Sequence, residues 1–186
     1  MKVFKVCLLG DGAVGKTSLR ERFLGRPFRK SYSHTIGADF AMKEGKVRDI
    51  DVKYQIWDLA GQAAFREIRG VYVLGAVGAL VVFDQTRISS FEALPQWIKE
   101  FWQHNGKGIM PVVILGNKAD LTAPRGKKVT QAKIKRFCAA QTKKTQERGF
   151  KVEYLKTSAK TGLNVSEAFE KLGEAVLSYV EWKSGN

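Results

Sequence analysis

The stretch that decides the fold is Gly10-Asp11-Gly12-Ala13-Val14-Gly15-Lys16-Thr17, which fits the pattern G-x-x-x-x-G-K-[ST]. It follows the apolar run Val3 to Leu9 and precedes the helical pattern Ser18 to Phe23, and this strand–loop–helix context is the one the motif requires. Glycines let backbone N–H groups turn toward an anion, and the N-terminus of the next helix adds positive potential. The stretch therefore predicts a loop around a polyphosphate, with Lys16 on the β- and γ-phosphates and the Thr17 hydroxyl on Mg²⁺. The alternative is a chance glycine-rich turn.

Short apolar runs rich in β-branched residues alternate with helical patterns along the rest of the chain. Near-continuous apolarity is typical of strands covered on both faces, so the runs predict a mostly parallel sheet: Val3 to Leu9, Val52 to Trp57, Ala79 to Phe83, Val112 to Leu115 and Val152 to Leu155. Between Phe40 and Trp57 the only break is Glu44-Gly45-Lys46, which is too short for a crossover helix. The segments on either side should pair as an antiparallel hairpin, so one edge of the sheet is mixed.

Three helical patterns are expected to cover this sheet. The last helix has Asn164 as a cap and Glu167 at the capping-box position, and its apolar face is Phe169, Leu172, Val176 and Tyr179. A second helix follows Thr130, and one of its faces carries Ile134, Phe137, Cys138 and Gln141. A third follows Pro95, and its aromatic-rich stretch is interpreted as core rather than as a cofactor site: Trp97, Ile98, Phe101 and Trp102.

Polar motifs follow three of the predicted strands. Asp58-Leu59-Ala60-Gly61-Gln62 places an acid at a strand's carboxyl end, near the glycine-rich loop, where Asp58 suits a Mg²⁺ role through water. Asn117-Lys118-Ala119-Asp120 places a carboxylate that accepts hydrogen bonds from guanine N1–H and the 2-amino group together. Ser158-Ala159-Lys160 would complete the base pocket with a backbone donor to the guanine oxygen. Each string alone specifies little, but their order after successive strands predicts one guanine-nucleotide site.

Here the sequence resembles the Ras superfamily over essentially its whole length, and Thr35-Ile36-Gly37, Asp39-Phe40 and Trp57-Asp58-x-Ala60-Gly61-Gln62 are most similar to the Rab branch. The resemblance implies one small-GTPase domain over residues 1–186, an α/β P-loop NTPase fold with a six-stranded, mostly parallel sheet, one antiparallel edge strand and helices on both faces. It implies a switch that binds GTP and GDP with Mg²⁺ and hydrolyses GTP slowly.

The resemblance also assigns roles to single residues. Thr35 and Gly61 match the switch I and switch II residues that meet the γ-phosphate, Gln62 matches the residue that orients the attacking water, and Phe28 matches the aromatic beside the guanine. The predicted catalytic residues are Gln62, Lys16, Thr35 and Gly61, and the predicted metal ligands are Thr17, Thr35 and Asp58. The predicted nucleotide-binding residues are Gly10, Asp11, Gly12, Ala13, Val14, Gly15, Lys16, Thr17, Ser18, Phe28, Thr35, Gly61, Asn117, Lys118, Asp120, Ser158, Ala159 and Lys160.

The sequence also departs from the Rab pattern. Leu59 stands where a threonine is usual, and Ala63-Ala64 stand where a charged pair is usual, which leaves the exchange factor and the activating protein unidentified. No cysteine follows Cys138 and no Met-Gly start is present, so neither prenylation nor N-myristoylation is expected. Effectors of the GTP state are expected as partners of a monomer. The alternatives are a non-hydrolysing nucleotide-binding adaptor and a nucleic-acid- or ribosome-associated GTPase.

The composition and the N-terminus indicate where the protein is located in the cell. No apolar stretch reaches the roughly 20 residues that span a bilayer, and Met1-Lys2-Val3-Phe4 lacks a secretory h-region, so a cytoplasmic location is predicted. Cys7 and Cys138 have neither disulfide-framework nor metal-ligand spacing.

The formal net charge of +14 is concentrated in one segment. Between Thr122 and Lys156 there are eleven Lys or Arg and two acidic residues, a net charge of +9. Weak, reversible contact with an anionic membrane surface, nucleic acid, and a merely solvated surface all remain open for this segment. The cations expected to face a membrane are Lys127, Lys128, Lys143 and Lys144.

Overall fold

The computed structural model describes residues 1–28, 35–122 and 129–185, without the side chain of Arg66. In these ranges a six-stranded sheet has the order β2-β3-β1-β4-β5-β6. Its strands are β1 (Lys2–Leu9), β2 (Ala38–Val47), β3 (Ile50–Leu59), β4 (Gly78–Asp84), β5 (Val112–Asn117) and β6 (Glu153–Lys156). All neighbouring strands are parallel except β2 and β3, so the predicted α/β fold with a mixed edge is confirmed.

The hairpin between β2 and β3 turns at a different place from the prediction. Glu44, Gly45 and Lys46 lie inside β2, where Gly45 pairs with Val52. The turn is Arg48-Asp49, and both residues have positive φ, 48° and 62°. A two-residue hairpin turn with positive φ at both positions matches the right-handed twist of the strands, so it replaces the predicted break at Gly45.

Helices pack on both faces of the sheet: α1 (Lys16–Phe23), α2 (Arg66–Val73), α3 (Ile88–Glu92), α4 (Leu94–His104), α5 (Gln131–Thr145) and α6 (Val165–Gly185). Alternate residues of the central strands pack into two separate hydrophobic cores, because successive side chains point to opposite faces of the sheet. On one face Leu8 packs in a cluster with Phe169 of α6, and on the other Cys7 packs in a cluster with Phe101 of α4. Within the described ranges, no helix combines the length and the apolarity needed to cross a membrane.

The helix predicted to follow Thr130 is α5, which begins at Gln131. The Thr130 hydroxyl accepts a hydrogen bond from the Lys133 N–H at 3.3 Å, which caps α5, and Trp97, Ile98 and Phe101 of α4 are buried in the core. Asn164 precedes α6, but it has a positive φ of 53°. Its side-chain amide donates to the Lys156 carbonyl at 2.9 Å, so it ties the helix start to β6.

The topology places all the motif loops at one edge of the sheet. The strands β1, β3, β4, β5 and β6 run in one direction, and the loops that follow them leave from their carboxyl ends. In open α/β sheets this edge is where ligands bind.

Candidate nucleotide site

A cavity of about 650 Å³ lies at the carboxyl edge of the sheet. The residues that line it come from helix α1 and the chain that follows it, and from the ends of β3 and β5 and the loops after β1, β3, β5 and β6. They are Gly12, Ala13, Gly15, Lys16, Thr17, Ser18, Arg20, Glu21, Arg26, Pro27, Phe28, Thr35, Leu59, Gly61, Gln62, Asn117, Lys118, Asp120, Leu121, Ala159 and Lys160. The sequence motifs that are far apart along the chain therefore meet around one space.

The loop between β1 and α1 is shaped by two glycines that no other residue could replace without strain. Gly10 has φ 134°, and a Cβ there would lie 2.1 Å from the Val82 carbonyl oxygen. Gly15 has φ 97°, and a Cβ would lie 2.4 Å from Nδ2 of Asn117. The backbone of the loop therefore lies close against β4 at Gly10 and against Asn117 at Gly15.

Lys16 extends back along this loop and is only 6% exposed. Its Nζ donates to the carbonyl oxygens of Gly10 at 2.6 Å and Asp11 at 2.8 Å. Burial lowers its pKa to about 8, against the opposing attraction of Asp58 and Asp11. A buried ammonium group that donates to neutral carbonyls would gain from the negative charge of a nearby phosphate.

Thr17, Thr35 and Asp58 form a cluster of oxygen atoms. The Thr17 hydroxyl donates to Oδ2 of Asp58 at 2.5 Å, and it lies 3.1 Å from the Thr35 hydroxyl. Asp58 is fully buried, and burial raises its pKa although Thr17 and Lys16 oppose the shift. Its Oδ1 has no hydrogen-bond partner among the described residues. Hydroxyl and carboxylate oxygens are the ligands that Mg²⁺ takes, so this donor set fits the predicted metal.

Asn117 connects two of the loops around the cavity. Its Nδ2 donates to the Val14 carbonyl at 2.8 Å, and its Oδ1 accepts from the Ala159 N–H at 3.2 Å and from the Thr157 hydroxyl at 3.4 Å. The side chain is 1% exposed. Asn117 therefore holds the loop of residues 10–15, named the phosphate loop after its predicted ligand, at a fixed distance from the Ser158 loop.

Asp120 also lines the cavity and is held by the Ser158 loop. The Ser158 hydroxyl donates to Oδ1 of Asp120 at 2.5 Å, and it accepts from the Thr161 N–H at 3.1 Å. Lys118 has φ 62°, and its Nζ is 2.7 Å from Oδ2 of Asp84. The part of the cavity around Asp120 is therefore made of side chains that orient one another.

The segment after β3 lies directly against the phosphate loop. A Cβ on Gly61 would approach the Asp11 carbonyl carbon and the Gly12 nitrogen to 2.4 Å, so only glycine fits. Gln62, Thr35 and Phe28 all border the cavity. Five predicted residues do not line it but stand behind the lining: Gly10, Asp11, Val14, Asp58 and Ser158.

Several residues around the site were not predicted from the sequence. Arg20 is buried in α1 and bridges to Asp39 at 2.7 Å, and Arg87 donates to the Gly12 carbonyl at 2.7 Å. The Trp97 indole donates to Oδ1 of Asp11 at 2.8 Å. Arg87 and Trp97 contact the loop across 75 and 86 positions of sequence, so no local pattern could have indicated them.

Comparisons with known proteins agree with this geometry. The Ras family model matches residues 5–178. Ras-related protein Rab-2B of Dictyostelium discoideum is 39% identical over 183 residues, which cover 98% of this chain and 85% of that protein. Ypt/Rab-type GTPase ypt7 of Schizosaccharomyces pombe is 37% identical over 182 residues, 96% and 84% of the two chains, and Ras-related protein Rab7 of Pisum sativum is 36% identical over 178 residues, 94% and 82%. This chain belongs to the Ras family, as a small GTPase of the Rab branch.

Proposed function

We propose that the protein binds GTP and GDP together with Mg²⁺ and slowly hydrolyses GTP to GDP, so that it acts as a molecular switch. The observation that carries the proposal is that Lys16, Thr17 and Asp120 line a single cavity, and that Thr17 hydrogen-bonds to the buried Asp58 beside it. The Lys16 ammonium group suits the phosphates of a nucleotide, the Thr17 and Asp58 oxygen atoms suit its cation, and the Asp120 carboxylate suits its base.

At the phosphate end, Lys16 and the backbone N–H groups of the glycine-rich loop hold the β- and γ-phosphates. Thr17 and Thr35 would ligate Mg²⁺ directly and Asp58 would act through water, and the bound cation supplies charge that neutralises the phosphate oxygens. Catalysis of this kind consists of positioning and charge stabilisation. Gln62 orients the attacking water, and turnover without a partner is about 10⁻⁴ to 10⁻² s⁻¹, the range of such switches.

At the base end, Asp120 accepts hydrogen bonds from guanine N1–H and the 2-amino group. The short bond from Ser158 to Oδ1 fixes the carboxylate, so the direction of its other oxygen atom, Oδ2, is fixed as well. Adenine has no such donor pair, and a site built on hydrogen bonds rejects a ligand that leaves its polar groups unpaired.

The output of the switch is a change of surface. Thr35 and Gly61 meet the γ-phosphate in the GTP state, and its loss on hydrolysis releases the two segments that carry them. Effectors read the GTP state, while an exchange factor and an activating protein set the rate of the cycle. The Rab and Ypt relatives support a trafficking role rather than the alternatives of a nucleic-acid-associated GTPase or a non-hydrolysing adaptor.

The test is nucleotide affinity measured with fluorescent GDP, GTP and ATP in Mg²⁺ buffer, followed by phosphate release from bound GTP in a single turnover. We expect GDP and GTP to bind about 10⁴-fold more tightly than ATP. Equal affinity for ATP and GTP would contradict the guanine assignment. Tight binding of GTP without phosphate release would favour the alternative of a non-hydrolysing nucleotide-binding adaptor.

A second proposal concerns the outer face of α5, which we propose contacts anionic membrane surfaces weakly. Five cations of α5 are exposed, and the helix contains no acidic residue: Lys133, Lys135, Arg136, Lys143 and Lys144. Lys127 and Lys128, predicted to share this role, lie outside the described residues. Each Lys or Arg near an anionic leaflet contributes about 1 kcal/mol, which gives a reversible, salt-sensitive contact.

A further inference from the structure

A buried ion pair connects the segment after β3 to helix α4. Arg69 of α2 is 4% exposed and Glu100 of α4 is 8% exposed. Two parallel contacts join them, Nε to Oε1 at 2.8 Å and Nη2 to Oε2 at 3.2 Å. Among the ion pairs of the described ranges, this is the only one in which both side chains are at most 10% exposed.

The remaining nitrogen of Arg69 reaches the backbone on both sides of Gly61. Nη1 donates to the Gln62 carbonyl at 3.0 Å and more weakly to the Ala60 carbonyl at 3.4 Å. One planar guanidinium therefore fixes the backbone at Gln62 relative to α4. Because its donors form a rigid fork, a lysine could not make these contacts together.

The same helix also holds the phosphate loop. The Arg69 guanidinium lies 4.4 Å from the centre of the Trp97 ring, and the Trp97 indole donates to Asp11 at 2.8 Å. Glu100 and Trp97 are one turn apart on α4. The two loops that must be aligned for hydrolysis thus have a common support.

Burial of an ion pair is a weak source of stability because both charges lose water. The contacts of this pair are better explained by the geometry that they impose on the segment after β3. We propose that Arg69, Trp97 and Glu100 form a clamp, hereafter the α4 clamp, which positions Gln62 against the phosphate loop for GTP hydrolysis. These are positioning residues that act through Gln62, and the inference rests on the proposed function.

The test compares single-turnover GTP hydrolysis, nucleotide affinity and unfolding temperature in four proteins: the unmodified chain, Arg69→Ala, Glu100→Gln and Arg48→Ala. Arg48 is the matched control, since it also forms an ion pair, with Glu181 at 3.1 Å. Arg48 lies in the β2–β3 turn, at the opposite end of the sheet from the cavity. We expect Arg69→Ala to slow hydrolysis about 10²-fold, the cost of a misplacement of about 1 Å, with little change in affinity. The control should hydrolyse GTP at the unmodified rate.

The decisive measurement is the double variant of Arg69→Ala with Gln62→Leu. If the α4 clamp acts through Gln62, the loss of Arg69 adds nothing once Gln62 is gone, because residues that act as a unit are not additive. Full additivity, or an unchanged rate in Arg69→Ala, overturns the proposal. Glu100→Gln keeps the shape of the side chain and takes the place of Arg69→Ala if that variant does not fold.

Hydrogen exchange separates failure of the α4 clamp from failure of the proposed function. Amides of residues 62–73 should exchange faster in Arg69→Ala than in the unmodified chain, whichever nucleotide is bound. If the unmodified protein does not hydrolyse GTP but exchange responds, the proposed function fails and the clamp stands as a support of this segment. Unchanged exchange contradicts the clamp on its own.

Discussion

Two regions of this molecule are rich in cations, and they use them differently. In the nucleotide cavity, Lys16 is buried against backbone carbonyls and Lys118 is paired with Asp84. On α5, the five cations are exposed on a helix without an acidic residue. Burial and fixed partners thus give a charge a defined direction, and one substitution there is expected to have a large effect. Exposed charges produce only a general field, whose effects are small and additive.

The largest expected effect comes from Asp120, whose position is fixed by Ser158. In Asp120→Asn the amide oxygen can still accept the Ser158 bond, which leaves an NH₂ group facing the two donors of guanine. We expect guanine-nucleotide affinity to fall about 10⁴-fold and xanthine nucleotides, which carry an acceptor at that edge, to bind in preference. Competition of GDP and XDP for a fluorescent nucleotide measures this.

Ser158→Ala is the graded companion of that variant. It keeps the Asp120 carboxylate and removes only its hydrogen-bond donor, so guanine affinity should fall about tenfold, the cost of one bond to a charged group. Unaltered selectivity in Asp120→Asn would show that the base lies elsewhere in the cavity.

The second effect concerns rate rather than affinity. Gln62→Leu should slow single-turnover hydrolysis about 10²-fold, because removing one polar group aimed at the transition state costs about that much. Affinity for GTP should stay nearly constant, which identifies an interaction made only in the transition state. Gln103→Leu on α4, an exposed glutamine, is the control. A rate equal to that of the unmodified protein in Gln62→Leu would refute the water-orienting role.

Most of the fold could be predicted because its signals are local. The apolar runs and the polar motifs after them follow directly from chain order, and the sheet confirms their arrangement. The hairpin turn was misplaced because Gly45 is the usual turn residue, while Arg48-Asp49 carries no glycine or asparagine. Gly45 instead lies in β2, where a side chain would first meet Tyr54 at 3.9 Å.

The contacts that support the site could not be predicted in the same way. Arg69 and Glu100 are 31 positions apart and lie on different helices, and their pairing is decided by how α2 packs on α4. Trp97 was correctly predicted to be a core residue, but its indole N–H also contacts the phosphate loop. Sequence periodicity indicates which face of a helix is buried, whereas the partner of a polar atom at that face depends on tertiary packing.

The third effect concerns metal binding by the cluster of oxygen atoms from Thr17, Thr35 and Asp58. In Asp58→Asn the Thr17 hydroxyl loses its bond to a carboxylate, and the charge that would favour Mg²⁺ is removed. We expect the Mg²⁺ concentration for half-maximal nucleotide retention to rise 10- to 100-fold, roughly the usual cost of altering an outer-shell partner. Nucleotide release timed across a Mg²⁺ titration measures it, and chelation should accelerate release from the unmodified chain.

Asp51→Asn is the control for this variant, since Asp51 is exposed and pairs with Lys46 at 3.9 Å far from the cavity. An equal response of the two variants to Mg²⁺ would show that Asp58 has no special relation to the metal.

The smallest effect per substitution is expected on α5, because none of its cations forms an ion pair with another described residue. Lys143→Gln and Lys144→Gln should each weaken sedimentation with phosphatidylserine-containing vesicles about fivefold, which corresponds to about 1 kcal/mol per cation, and the two should add. Lys171→Gln is the control, because Glu174 at 3.0 Å already offsets that charge. Nucleotide binding should be normal in all three variants, since none of these residues borders the cavity.

Vesicle binding by the unmodified protein should fade above physiological salt, where the Debye length falls below about 8 Å. If the unmodified protein ignores such vesicles at low salt, the α5 face is only solvated. Retention on RNA with a steep salt dependence would assign the same charges to nucleic acid instead.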